Sequence, residues 1–339
     1  MSDATTGISL LVIAGIMNAA FAIPMKFTKK WAWENIWAVW SVYALLIMPA
    51  LIAFVTVPRL GDVYSPSVTR NLILVAACGL AWGVAQVLFG LAVDAIGIAL
   101  AFAIVLGLSA AIGSIIPLIR LHPDKVFAPA GLGVIAGVIL VVIGVAVCAV
   151  AGHKRDKATA KADSGHKMPF SAGLLCAILS GLGAAAMNFG VAFGGALIHS
   201  AESTGTSPVW TINAVWFPLM VAGAIPNIVY CFYLMRKNGT LGNFSLSGTV
   251  SYWGLAGVMA FFWFASTIMY GVASGKLGEL GPVLGWPFFM SLIVIMASVF
   301  GFMTGEWKNA GATPLRIQIV GVGILVLAVI VLSRAGQYV

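Results

Sequence analysis

Residues 271–307 read GVASGKLGELGPVLGWPFFMSLIVIMASVFGFMTGEW. The stretch sets a carboxylate, Glu279, at the mouth of an apolar run long enough to cross a bilayer, then interrupts that run with Gly281, Pro282, Gly285 and Pro287. Proline lacks a backbone donor and clashes with the preceding turn, so the helix is expected to start at Pro282 or bend near Pro287. A Gly/Pro-interrupted helix carrying an acid at its end reads as part of a membrane transport site.

Composition extends this reading to the whole chain. With 61% hydrophobic residues, 8% charged residues and a mean hydropathy of +1.05, the protein falls outside the soluble globular class, where about a quarter of residues are charged. The net charge of +8 does not point to nucleic acid, because the basic residues lie in short loops between apolar runs, where they set topology. Cys78, Cys148, Cys176 and Cys231 fall inside apolar segments without CxxC spacing, which indicates neither a disulfide framework nor a metal site. No Lys or Arg precedes the first apolar run, so that run is expected to be retained as a span.

Apolar runs of about 20 residues give ten spans, near 7–25, 35–57, 71–93, 96–119, 127–151, 170–198, 208–235, 249–273, 281–304 and 315–335. The polar stretch 152–169 divides them five and five, giving an N-terminal unit 1–151, a linker, and a C-terminal unit 170–339. The odd-numbered loops hold 12 of the Lys and Arg residues and the remaining segments 6. The positive-inside bias therefore predicts a cytoplasmic linker and both termini outside.

Five spans per half require any internal repeat to be inverted. A shift of 181 residues lays Trp82 on Trp263, Gly90 on Gly271 and Gly97 on Gly278, and a shift of 170 lays Met17-Asn18 on Met187-Asn188. The fold predicted is an all-α integral membrane protein with ten transmembrane helices in two inverted five-helix repeats.

Polar groups in hydrocarbon need internal partners or a wet cavity, so they mark candidate sites. Asn18 and Asn188 hold equivalent places and either flank the repeat axis or bond neighbouring helices. Trp82 and Gln86 share one helical face, as do Trp263, Thr267 and Tyr270. A ring beside an amide or hydroxyl suits a neutral, hydroxyl-rich ligand, the ring covering C–H faces while the amide bonds hydroxyls; packing or an interfacial belt is the competing reading. Trp210, Asn213 and Phe217 form a third such face, and Trp37, Trp40 and Tyr43 a fourth. Glu279 shares a face with Val283, Trp286 and Met290, and burial would raise its pKa into the range useful for a coupling proton. Glu34, beside Lys29 and Lys30, is the second acid considered. There is no P-loop, HExxH, nucleophile elbow or spaced acid pair, and nothing argues for an enzyme.

Three motifs then stand out: Pro24-Met-Lys26-Phe-Thr-Lys29-Lys30-Trp31-Ala-Trp33-Glu34; Trp82-Gly83 with Gly90 and Gly97; and Glu306-Trp307-Lys308-Asn309-Ala310-Gly311. In order and spacing they resemble the L-rhamnose-proton symporter family of the drug/metabolite transporter superfamily. The resemblance spans nearly the whole chain and implies ten helices in two inverted repeats. It also implies uptake of a deoxysugar with a proton as coupling ion, and no other cofactor. Residues 277–287 depart from the rhamnose carriers, so scaffold and proton coupling transfer further than the choice of sugar.

The expectation is a secondary transporter in the cell inner membrane, a monomer or weak dimer in the bilayer with no nucleic-acid partner. Its substrate contacts are Asn18, Trp82, Gln86, Asn188, Asn213, Trp263, Thr267, Tyr270 and Trp286, and its proton carrier is Glu279 or Glu34. The alternatives are an exporter of small cationic drugs or metabolites, which in this superfamily tends to carry an acid in the first span, absent from 7–25, and a membrane enzyme acting on lipid-linked sugars, for which no polar catalytic loop is present.

Overall fold

The computed structural model describes residues 3–158 and 168–338. Among them ten helices are long and apolar enough to cross a membrane. We label the spans α1 (Asp3–Ala20), α2 (Trp33–Thr56), α3 (Thr69–Ile96), α4 (Ile98–Leu121), α5 (Pro129–Ala158), α6 (Phe170–Phe193), α7 (Asn213–Asn238), α8 (Val250–Lys276), α9 (Gly281–Met303) and α10 (Ala312–Ala335). The expected linker begins as helix, since α5 runs to Ala158, and residues 159–167 of it lie outside those described.

Of the two outcomes expected for the prolines of residues 271–307, a helix start at Pro282 and a bend near Pro287, the structure shows the first. In α9, Pro282 sits in the first turn, where its missing N–H costs nothing, and the helix continues through Pro287 to Met303 without a break. The interruption falls instead in α2, where Val42–Ile47 form a π turn and the Met48 N–H reaches back to the Tyr43 carbonyl. Pro49 follows at once and cannot donate to the preceding turn, which loosens the ladder there. In α7, Pro218 leaves the Ala214 carbonyl without its helical donor, and the Tyr64 hydroxyl donates to that oxygen at 3.0 Å. In α4, Pro117 leaves the Gly113 carbonyl free in the same way.

Small residues set the helix contacts. α1 packs on α8 and α9, α6 on α3 and α4, α2 on α7 and α8, α7 on α2 and α3, and α5 along α10. Glycines bring α5 against α10: Gly137 faces Leu332, Gly144 faces Leu325 and Gly321 meets Cys148, each closer than a methyl group would allow. A close backbone seam joins α3 and α7, where a Cβ on Gly79 would lie 2.0 Å from the Leu219 carbonyl oxygen and one on Gly83 2.4 Å from that of Gly223.

Because the obstacle at Gly79 is backbone, Gly79→Ala should destabilise the protein by about 1–3 kcal/mol, read as a lower melting midpoint in detergent. Gly323→Ala, which meets open space, is the control expected to be neutral. An unchanged midpoint for Gly79→Ala would show that the seam yields.

Candidate functional site

The helices enclose a cavity of about 540 Å³ that reaches one end of the bundle, the end bearing Lys26 and Glu306. This basic end also carries Lys30, Arg155, Arg236 and Lys308, by chain order, and the opposite end Asp3, Lys125, Lys276 and Glu279.

The cavity wall is largely aromatic. Trp263 stands edge-on to Trp40 at 5.2 Å between centroids and stacks on Trp82 at 5.6 Å, while Trp37 lies 4.4 Å from Trp40. Trp82 leans on Gly223, where any side chain would collide with the ring at 2.8 Å. The Trp37 indole donates to Asn227 Oδ1 at 3.1 Å, and the Asn227 amide donates to the Gly223 carbonyl, so the same turn of α7 positions both rings. The Trp286 indole donates to the Ser109 carbonyl at 3.0 Å and closes the deep end.

Six of the sequence-predicted contacts line this cavity: Asn18, Trp82, Gln86, Trp263, Thr267 and Trp286. Asn18 donates to Ser266 Oγ at 2.9 Å, and the Thr267 hydroxyl donates to the Trp263 carbonyl at 3.0 Å, which leaves acceptor oxygens of both for a ligand. Three do not line it. Asn213 is buried at the start of α7 and donates to Thr56 Oγ1 at 2.9 Å. Asn188 and Tyr270 are fully buried at the closed end, where the tyrosine hydroxyl donates to Asn188 Oδ1. There the Asn188 amide donates to the Gly113 carbonyl at 2.7 Å and the Pro282 carbonyl at 3.0 Å.

The acids differ most from expectation. Glu279 is not buried: its side chain is 71% exposed and paired with Lys125 at the end opposite the cavity mouth. The lysine bonds it and holds its carboxyl below the ordinary value of 4.5, the reverse of the shift expected for a buried acid. Glu34 is buried on α2 but accepts from Asn238 (2.9 Å) and Thr240 (2.8 Å) rather than from the neighbouring lysines. Among the described residues the carboxylate on the cavity wall is Glu306, a position that marked the family motif in the sequence. It pairs with Lys26 at 2.8 Å and Arg155 at 3.4 Å, and Arg155 lies over the Trp307 ring at 5.0 Å. Sequence reading passed over it because it follows the apolar run, and only the fold brings the ends of α1, α5 and α9 together.

A carboxyl with a depressed pKa keeps its ion pair above its ordinary value and loses it as pH falls through the lowered one. The Lys125–Glu279 tie should therefore hold from neutral pH to below the ordinary carboxyl value of 4.5, checked by following the Glu279 carboxyl infrared band during acid titration. A tie that opens near pH 6 would contradict this.

Ten spans around an amide- and tryptophan-lined cavity with a charged mouth define a multi-pass membrane carrier for a small polar solute. The chain matches the L-rhamnose-proton symport protein (RhaT) family over residues 1–336 and belongs to that family. It is similar to L-rhamnose-proton symporters of Escherichia coli (26% identity over 337 residues), Citrobacter koseri (25% over 336) and Salmonella gallinarum (27% over 337), each covering 97% of both chains. It is thus an inner-membrane transporter of the symporter type.

Proposed function

We propose that this protein takes up L-rhamnose or a related deoxysugar together with a proton, by alternating access around the cavity described above. The observation that carries the reading is the pairing of tryptophan faces with the amides Asn18 and Gln86 in a space of about 540 Å³. Rings cover the apolar C–H and methyl faces of a deoxysugar while amides bond its hydroxyls. We place the proton at Glu306, where Lys26 and a proton compete for the same carboxylate oxygen at the open mouth. Positive-inside bias makes this basic end cytoplasmic, with both termini outside, so cargo leaves here.

Two inverted five-helix repeats, 1–151 and 170–339 about the linker 152–169, account for the helix pairing. The contacts of α1 with α8 and α9 return as those of α6 with α3 and α4. Left-handed backbone recurs at Arg59 and Gly239, and at Gly97 and Gly278, separations of 180 and 181 residues.

Uptake into proteoliposomes acidified outside tests the function: labelled L-rhamnose should accumulate, and excess 6-deoxyhexoses should compete more strongly than quaternary amines. Accumulation of amines with indifference to every deoxysugar would overturn the reading.

A further inference from the structure

We propose that Asn188 and Asn18 are reciprocal latches of the transport cycle, one holding the far end of the cavity shut and the other engaging when the basic end closes. The inference rests on the inverted repeat proposed above.

The closed latch is visible. Asn188 is fully buried, and its amide ties α4 to α9 through the carbonyls of Gly113 and Pro282. Gly113 has that oxygen to offer because Pro117, four residues on, has no N–H to give it. Trp286 presses on Gly113 from α9, where a Cβ would meet the ring at 2.7 Å. Next to Gly113, the Ser114 hydroxyl is buried without a partner. Such a group is costly when dry, and water entering between α4 and α9 would satisfy it.

At the basic end the same two helices stand apart, with Phe102 of α4 and Ile293 and Ala297 of α9 lining the cavity. The repeat carries Asn188 to Asn18, Gly113 to Val294 and Pro282 to Ala101. Asn18 sits on the cavity wall, where its amide donates to Ser266 Oγ at 2.9 Å. When the basic end closes, its amide takes the carbonyls of Val294 and Ala101. The two latches are unequal, because the residue matching Pro117 is Ser298, whose hydroxyl already donates to the Val294 carbonyl at 2.7 Å. The far latch has a freed acceptor and the near latch a contested one, which accounts for a resting state open at the basic end.

The test uses full-length protein in lipid nanodiscs, where reagent reaches both faces and no sugar or proton gradient is needed. Failure of the latches is thus read separately from failure of the transport assay. Val283, buried on α9 and matching the cavity-lining Phe102, is replaced as Val283→Cys, and its rate of reaction with a charged maleimide reports opening of the far end. Protein with only its own cysteines supplies the background. Asn188→Ala should raise the rate about tenfold, adding Asn18→Ala should bring it back toward the starting rate, and Ser298→Ala alone should raise it by vacating the Val294 carbonyl. Should Asn188→Ala fail to fold, the Ser298→Ala and Asn18→Ala arms must still move the rate in opposite directions. Rates that stay unchanged, or that move the same way for Asn18 and Asn188, overturn the proposal.

Discussion

Trp263→Ala is expected to raise the sugar concentration for half-maximal uptake by about tenfold to a hundredfold, through lost ring stacking and lost wall packing together. Trp263 is the ring at which the cavity wall converges, edge-on to Trp40 and stacked on Trp82, with all three lining the same cavity. Truncation removes one stacking face for the sugar and withdraws the support that, opposite Gly223, keeps Trp82 upright. The effect should appear in the affinity more than in the maximal rate, since the indole covers the ligand but carries no proton. Trp253→Ala is the matched control: that ring pairs with Trp31 and Phe244 away from the cavity, and its loss should leave uptake near normal. Concentration-dependent uptake in proteoliposomes measures both, and an unchanged Trp263→Ala curve would remove the tryptophan wall from sugar binding.

The second large effect is expected for Glu306→Gln, which cannot hold or release a proton but keeps the size and polarity of the side chain. One unit of pH gradient is worth about 1.4 kcal/mol, so a carrier moving one proton per sugar can concentrate its cargo about tenfold. In the glutamine variant that accumulation should fall to equilibration, while sugar counterflow, which needs no net proton movement, persists. Lys26→Met separates the pair from the proton: it removes the cation at 2.8 Å but leaves the carboxylate, so coupling should survive with a changed pH dependence of the rate. Accumulation that persists in Glu306→Gln sends the search to Glu34 and Glu279, tested by the same substitution.

The spans and the aromatic faces were legible because each depends on local facts: run length against bilayer thickness, and helical spacing within one span. Trp82, Gln86, Trp263 and Thr267 shared faces on paper and share a cavity in space. Asn18 and Asn188 were legible as a pair but not in their separate fates, since the cavity is offset toward the basic end and gives one a wet wall and the other a dry junction. Glu279 was misjudged because sequence distance from an apolar run does not measure depth; the turn between α8 and α9 lifts it into solvent. Glu306 and Lys26 lie 280 residues apart and could not be joined without the fold.

The glycine seam between α3 and α7 has a mechanical consequence. Where backbone touches backbone at Gly79 and Gly83 there is no side chain to slide or change rotamer, so the two helices behave as one stiff beam. Trp82 is bolted to that beam while its stacking partner Trp263 rides on α8. A sugar seated against both rings therefore bridges separately movable parts, and its grip is itself a lever on the motion that carries it across.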